Sequence, residues 1–307
     1  MARTLPAASF LPKLDGRPAL GIGLMVLATL STTTQDAMGK WLVAAYPVVQ
    51  VAWARYFIAC LILVVLGLRV GPHRLVRTAH PRLQLLRGVL VFSSTLCLWA
   101  GLRTVPLADA VAILFVAPLL VTIMAIPILG EEIGWRRWTA VAVGLLGVLI
   151  VLRPGAGLFR LDAAFILLAS FNYALYQALT RKIAAQEDPY AQQFYTAVVG
   201  AVVLTIVLPW QAAPVIASAW PWFILLGAVG VLSHYLITTA LACAPASVLS
   251  PFLYTQLLWA TAVGWLVFND WPDRTTLLGG AVIAASGLYV FYREAVRRAR
   301  AQPERAR

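Results

Sequence analysis

Few ionisable side chains lie well inside the long apolar stretches of this 307-residue chain, and each is costly enough there to be a functional candidate. Asp36 lies in ATLSTTTQDAMGKW and Arg55 in VAWARYFIACL. Both are almost equally far from the turn near residue 45, so at 1.5 Å per residue they should lie roughly 10 Å below the same surface. They could form an ion pair that latches two helices, although Lys40, one turn from Asp36, competes for the carboxylate. Alternatively, Asp36 and Arg55 could sense protons or meet a charged group of a solute.

Polar and aromatic side chains form a stripe in the segment SFNYALYQALTRK. Tyr173, Tyr176, Gln177 and Thr180 follow the spacing i, i+3, i+4, i+7 and share one helical face. Such a stripe is expensive against lipid, so we expect it to face protein or a wet cavity.

Other apolar segments carry similar residues, which together predict a solute-binding cavity. The predicted lining is Trp99, Phe115, Tyr173, Tyr176, Gln177, His234, Tyr254 and Trp259. Each residue taken singly could instead serve interhelical packing or hydrogen bonding, and His234 could be a structural histidine or a proton relay. Collectively they favour a small amphipathic solute with an apolar or aromatic body.

The remaining charges near these segments have structural interpretations. Asp109 follows the start of one segment and is expected to cap it. Glu131 and Glu132 are expected to cap the segment after them, and Asp270 the last segment. Arg87 is within one turn of the interface, where its side chain can snorkel to water.

The composition places these residues in a membrane. The chain is 61% hydrophobic and 12% charged, about half the charged fraction of a soluble protein, and its mean hydropathy is +0.83. A spanning helix needs about 20 apolar residues. We predict an all-α integral membrane protein with ten spans, at roughly 19–41, 48–68, 84–104, 106–128, 136–153, 162–181, 190–209, 219–243, 246–268 and 275–292. Runs such as LILVVLGL do not alternate as the strands of a membrane barrel would.

The net charge of +12 is explained by orientation. With the N-terminus in the cytoplasm, 17 Lys and Arg fall in cytoplasmic segments and five on the other side. This bias predicts an inner (plasma) membrane protein with both termini cytoplasmic, in contact with lipid and with no nucleic-acid partner. Cys60, Cys97 and Cys243 lack metal-site spacing, so we expect no metal and no cofactor. The sequence leaves the oligomeric state open and is compatible with a monomer.

The second half of the chain repeats the first with a shift of 139 positions. Pro106 falls on Pro245, and Glu131 falls on Asp270. Because each half has five spans, an odd number, the second half must enter the membrane inverted. We predict one five-helix unit at 19–155 and a second at 160–292, with cytoplasmic tails at 1–18 and 293–307.

The segment LFVAPLLVTIMAIPILGEEIGWRRWTAVAVGLLGVLIVLRPG resembles the EamA-type unit of the drug/metabolite transporter superfamily. The matching features are Pro118, the pair Gly130–Glu131, Trp138, the Gly144/Gly147 pattern and Arg153–Pro154–Gly155. The second half departs from it, since Asn269–Asp270 replace Gly–Glu and Leu257 replaces Pro118.

The resemblance implies a ten-helix exporter that moves small metabolites by alternating access, similar to the YddG-type exporters of aromatic and other amino acids. In such a mechanism the helices could bend at Pro106, Pro118, Pro245 and Pro251. One alternative is a drug or other metabolite exporter, which could couple transport to protons through Asp36. A lipid-modifying enzyme would need clustered catalytic groups, and a channel would need a continuous polar pore; the sequence favours neither.

Overall fold

The computed structural model describes residues 17–130, 134–152, 161–184 and 186–305, and this part of the chain is helical without strands. The helices are α1 (Pro18–Val43), α2 (Val48–Val70), α3 (His73–Val76), α4 (Pro81–Leu102), α5 (Leu107–Leu114), α6 (Val116–Leu129), α7 (Trp135–Leu152), α8 (Leu161–Ile183), α9 (Pro189–Val207), α10 (Trp220–Cys243), α11 (Ala246–Leu253), α12 (Thr255–Phe268) and α13 (Arg274–Arg305). Two short 3₁₀ turns join α9 to α10.

Seven helices of the described part are long and apolar enough to cross a membrane. They are Val48–Arg69, Pro81–Leu102, Leu107–Leu129, Asp162–Ile183, Pro189–Trp210, Ala217–Cys243 and Pro251–Phe268, and Trp138–Leu152 is a shorter apolar helix. The other two predicted spans are also helical, as parts of α1 and α13. The all-helical membrane class is therefore confirmed, while ten crossings stay a prediction.

Two predicted spans are interrupted near their centres. The span that begins after Pro106 divides into α5 and α6 at Phe115, and the span after Pro245 divides into α11 and α12 at Tyr254. Helices α5 and α11 have 8 residues each, and α6 and α12 have 14 each. Phe115 and Tyr254 are separated by the repeat shift, so both interruptions occupy the same place in each half.

The four proposed hinge prolines lie at different places relative to these interruptions. Pro106 and Pro245 precede α5 and α11, with extended backbone. Pro118 lies in the first turn of α6 and cannot donate to the Leu114 carbonyl, which favours the interruption there. Pro251 lies inside α11, three residues before Tyr254.

Both interrupted helices also end alike. Gly130 follows α6 with φ 69°, and Asn269 follows α12 with φ 57°. Left-handed residues commonly close helices, and glycine and asparagine adopt this conformation most easily. The two residues are again separated by the repeat shift.

The most extensive helix contacts join one half of the chain to the other. Helix α1 packs along α10, α4 along α8, α7 along α13 and α2 along α9. Small residues allow the α7–α13 approach, since a Cβ at Gly147 would lie 3.0 Å from the Gly279 carbonyl oxygen. The halves are therefore interleaved, and the centre of the bundle is bounded by helices from both.

Candidate functional site

Arg55 of α2 occupies the centre of the candidate site. Its Nη1 donates to Thr95 Oγ1 of α4 at 2.5 Å. Its guanidinium lies over the rings of Tyr56 and Trp99, at 5.0 and 5.5 Å from their centroids. Tyr56 is held in turn by Thr95, with 2.7 Å between their hydroxyl oxygens. These contacts fix the plane of the guanidinium without using all of its five N–H donors.

Asp36 of α1 is 6% exposed and lies beside the Trp99 indole, within electrostatic reach of Arg55. The carboxylate and the guanidinium nevertheless form no ion pair within 4.0 Å among the residues that the structure describes. The pairing with Lys40 is also absent. Neither ion pair considered from the sequence, Asp36–Arg55 or Asp36–Lys40, forms. Asp36 and Arg55 were expected at similar depth, but Trp99 packs beside them.

Lys40 instead points to the end of the bundle near the α12–α13 connection. Its Nζ lies 2.9 Å from Asp270 Oδ2, donates to the Val105 carbonyl at 3.1 Å and lies over the Phe268 ring. Asp270 was expected from the sequence to cap α13, but it binds Lys40 instead. Asp273 receives the Thr276 N–H in that turn at 2.9 Å.

A partly open cavity lies between α2, α4, α9 and α10, with about 30 Å³ available to water and about 370 Å³ when the open space at its mouth is counted. It is lined by Arg55, Tyr56, Ala59, Val91, Gln193, Thr196, Ala197, Gly230, Val231 and His234. Arg55 and His234 are residues singled out from the sequence. Gln193 and Thr196 of α9 were missed, although the run Gln192, Gln193, Thr196 has the spacing of one helical face.

The predicted aromatic residues lie in two further groups. Phe115 and Tyr254, at the two helix interruptions, stack at 4.9 Å between ring centroids. Tyr173 and Tyr176 of α8 stack at 5.8 Å. Tyr173 is 37% exposed and lies within electrostatic reach of Arg55.

The other proposed lining residues differ in accessibility. Trp99 of α4 is fully buried and packs against α1 at Gly39. Gln177 is exposed, one helical turn from Tyr173 on the same face. Trp259 is half-buried in α12.

Arg87 does not snorkel to water. It is 1% exposed, donates from Nε to Thr180 Oγ1 at 2.8 Å and from Nη1 to Gln84, and lies over the Tyr176 ring at 5.1 Å. Gln84 donates to Glu187 Oε2 at 3.1 Å. Arg87 is thus the buried centre of a network that binds α4 to α8, and it lies beside the predicted lining residue Tyr176.

Glu187 extends this network to the chain before α4. Its Oε1 accepts from the Thr78 hydroxyl and from the backbone N–H groups of Ala79 and His80, at 2.8, 2.9 and 3.0 Å. Arg74 and Asp188 form an ion pair nearby at 2.9 Å. No periodic pattern predicts these contacts, because they join segments about 110 positions apart. Glu131 and Glu132 lie outside the described residues.

Asp109 lies in the first turn of α5, where it was expected from the sequence, and joins this helix to α13. It accepts from the Thr276 hydroxyl of α13 at 2.8 Å. The three cysteines are free, and the described residues contain no group of three potential metal ligands.

Comparison with known proteins shows that the sequence is similar to membrane transporters. The model of the EamA-like transporter family matches twice, at residues 19–153 and 161–293. A solved protein structure shares the fold with a TM-score of 0.62 and 15% identity, over 92% of this chain and 99% of that one.

The relatives that match over most of their length are named for different solutes. The chain is 29% identical to the S-adenosylmethionine uptake transporter of Rickettsia bellii, over 90% of this chain and 94% of the relative. It is 29% identical to the riboflavin transporter of Vibrio cholerae, over 89% and 93%. It is 28% identical to the pseudopaline exporter of Pseudomonas aeruginosa, over 87% and 94%.

Proposed function

This chain belongs to the EamA-like transporter family, a family of membrane transporters and not of enzymes, and we propose that it carries amino acids and related small metabolites. The observation that carries the proposal is the cavity lined by Arg55 and His234, with Tyr173 within electrostatic reach of the same arginine. A guanidinium suits a carboxylate, and aromatic rings suit an apolar side chain. S-adenosylmethionine, the solute named for one relative, contains a methionine unit.

We propose ten membrane crossings arranged as two inverted five-helix units, 19–155 and 160–292, with the tails 1–18 and 293–307 cytoplasmic. The identical lengths of the interrupted helices and their left-handed ends support the repeat. The pairing of α1 with α10 and of α4 with α8 supports it as well, because a two-fold axis exchanges these pairs. The arginine distribution supports the orientation in the inner membrane.

We further propose that the two halves move around the cavity by alternating access, bending at Pro106, Pro118, Pro245 and Pro251. The proposed lining remains Trp99, Phe115, Tyr173, Tyr176, Gln177, His234, Tyr254 and Trp259. Asp36 and Arg55 are the proposed coupling or latch residues. Net export follows if the solute accumulates in the cytoplasm. The names of the relatives include uptake transporters and an exporter, so direction is part of what must be measured.

The direct test uses the purified protein in liposomes preloaded with labelled threonine, methionine or phenylalanine. Release should be saturable and faster than from protein-free liposomes. The amino-acid proposal fails if none of the twenty amino acids moves although the reconstituted protein is folded.

Replacing Gln177 by leucine tests the lining. Gln177 is exposed on the Tyr173 face, so the change should raise the half-saturating solute concentration several-fold while leaving thermal stability unchanged. Phe171→Leu is a matched control, since Phe171 is an exposed residue of the same helix outside the stripe. Equal affinities in the wild type and Gln177→Leu would remove Gln177 from the proposed site.

The buried carboxylate of Asp36 favours a second candidate, export of cationic drugs or other metabolites with proton exchange. Transport of organic cations but of no amino acid in the same liposomes, stimulated by a proton gradient, would select it.

A further inference from the structure

Asp36 of α1 and Arg55 of α2 are opposite charges that both lie beside Trp99 and form no ion pair within 4.0 Å among the described residues. We propose that they bind the two ends of one zwitterion: Arg55 the carboxylate and Asp36 the ammonium of an α-amino acid group. This inference rests on the proposed transport of amino acids and names the chemical group by which the solute is recognised.

Asp36 lacks a cation in the described structure. It is 6% exposed, lies against the Trp99 indole and has no lysine or arginine nitrogen within 4.0 Å; Lys40, one turn away, is bound to Asp270. A buried carboxylate is stable only with a compensating charge or several hydrogen bonds. A solute ammonium would supply both, beside the Trp99 ring, which also favours cations.

Arg55 has no carboxylate partner within 4.0 Å among the described residues. Thr95 accepts one hydrogen bond from the guanidinium. The rings of Tyr56 and Trp99 lie against its face and do not accept the remaining in-plane N–H groups. Arg55 also lines the cavity. A planar guanidinium held in this way can bind a carboxylate with two parallel hydrogen bonds.

Arg55 and Asp36 select for a zwitterion because each penalises a solute with only one charge. An amine without a carboxylate leaves Arg55 uncompensated, and an acid without an amine leaves Asp36 uncompensated. The side chain of the solute would then lie toward Tyr173, which is within electrostatic reach of both charges.

The competing interpretation is a structural latch in which Asp36 and Arg55 attract each other beside Trp99 and never touch solute. The experiment measures exchange of labelled phenylalanine by the full-length protein in liposomes, against unlabelled phenylalanine, phenethylamine and 3-phenylpropionate. The two analogues lack the carboxylate and the ammonium respectively. Each should compete at least ~10-fold more weakly than phenylalanine, because each loses a charge-assisted interaction.

Two variants separate the roles. In Asp36→Asn the preference for phenylalanine over 3-phenylpropionate should fall at least ~5-fold, while discrimination against phenethylamine remains. In Arg55→Gln the preference for phenylalanine over phenethylamine should fall similarly, and discrimination against 3-phenylpropionate remains. Arg82→Gln, at an exposed arginine of α4, is the control and should change neither ratio.

Unchanged ratios in both variants would overturn the zwitterion site while leaving amino-acid transport intact. Equal competition by all three compounds in the wild type would do the same. Absence of exchange with every amino acid would overturn the zwitterion site and the proposed function together.

Discussion

Replacement of Arg87 by methionine is expected to lower the apparent melting temperature of the purified protein by roughly 5–10 °C. Arg87 is fully buried, and its donors hold Thr180 and Gln84 while Gln84 holds Glu187. Methionine has a similar length but leaves the Gln84 oxygen without its donor and removes the positive charge that balances Glu187. Breaking a buried charged network in this way costs about 3 kcal/mol or more.

Arg82→Met is the matched control for this prediction. Arg82 is on the same helix, α4, but is exposed, so its loss should change the melting temperature by no more than about 2 °C. Thermal unfolding in detergent, followed by tryptophan fluorescence, compares the two variants directly. Equal melting temperatures for Arg87→Met and Arg82→Met would contradict the buried network.

Replacement of Gly39 by alanine is expected to reduce solute exchange at least ~10-fold. A Cβ at Gly39 would lie 2.5 Å from Trp99 Cε2 and 2.6 Å from Trp99 Nε1. Trp99 is fully buried and cannot yield, so α1 must move away from α4 at a cost of roughly 1–3 kcal/mol. That movement also displaces Asp36 from Arg55, because Asp36 is one turn from Gly39 on α1.

Gly23→Ala provides the control on the same helix. A Cβ at Gly23 meets no atom within 4 Å, so alanine should stabilise α1 by up to about 1 kcal/mol and leave exchange unchanged. The relevant measurements are the initial rate of exchange and the melting temperature. If Gly39→Ala exchanged solute as fast as Gly23→Ala, the close α1–α4 contact would have no functional role.

The helices and the repeat were predictable because both depend on local properties. Long apolar runs determine where the helices lie. Pro106 and Pro245 determine where neighbouring helices are divided. The interruptions at Phe115 and Tyr254 were not predicted. Pro118 weakens the first, but Leu257 stands at the equivalent place in the second half and retains its N–H.

The side-chain partners of the charges were mostly not predictable. Arg55 and Asp36 were placed at one depth by counting residues, but which groups they contact depends on how α1, α2 and α4 pack around Trp99. Lys40 and Asp270 are 230 positions apart, and no pattern in the sequence relates them. Arg87 was expected to reach water because of its position along the helix, whereas the α4–α8 contact buries it.

The sequence identified some residues of the candidate site and missed others. His234 and Tyr173 were recognised because polar residues are conspicuous in an apolar helix. Gln193 and Thr196 belong to a helix that begins with several polar residues near the interface, so they did not stand out. Their role in the cavity depends on the rotation of α9 against α2 and α4.

Counterflow tests the central claim of amino-acid transport most directly. Liposomes containing the protein are loaded with one unlabelled amino acid at high concentration and diluted into a trace of the labelled compound, for each of the twenty amino acids in turn. We expect transient accumulation of label for at least one zwitterionic amino acid and none in protein-free liposomes. Accumulation of none of the twenty by folded, reconstituted protein would contradict it.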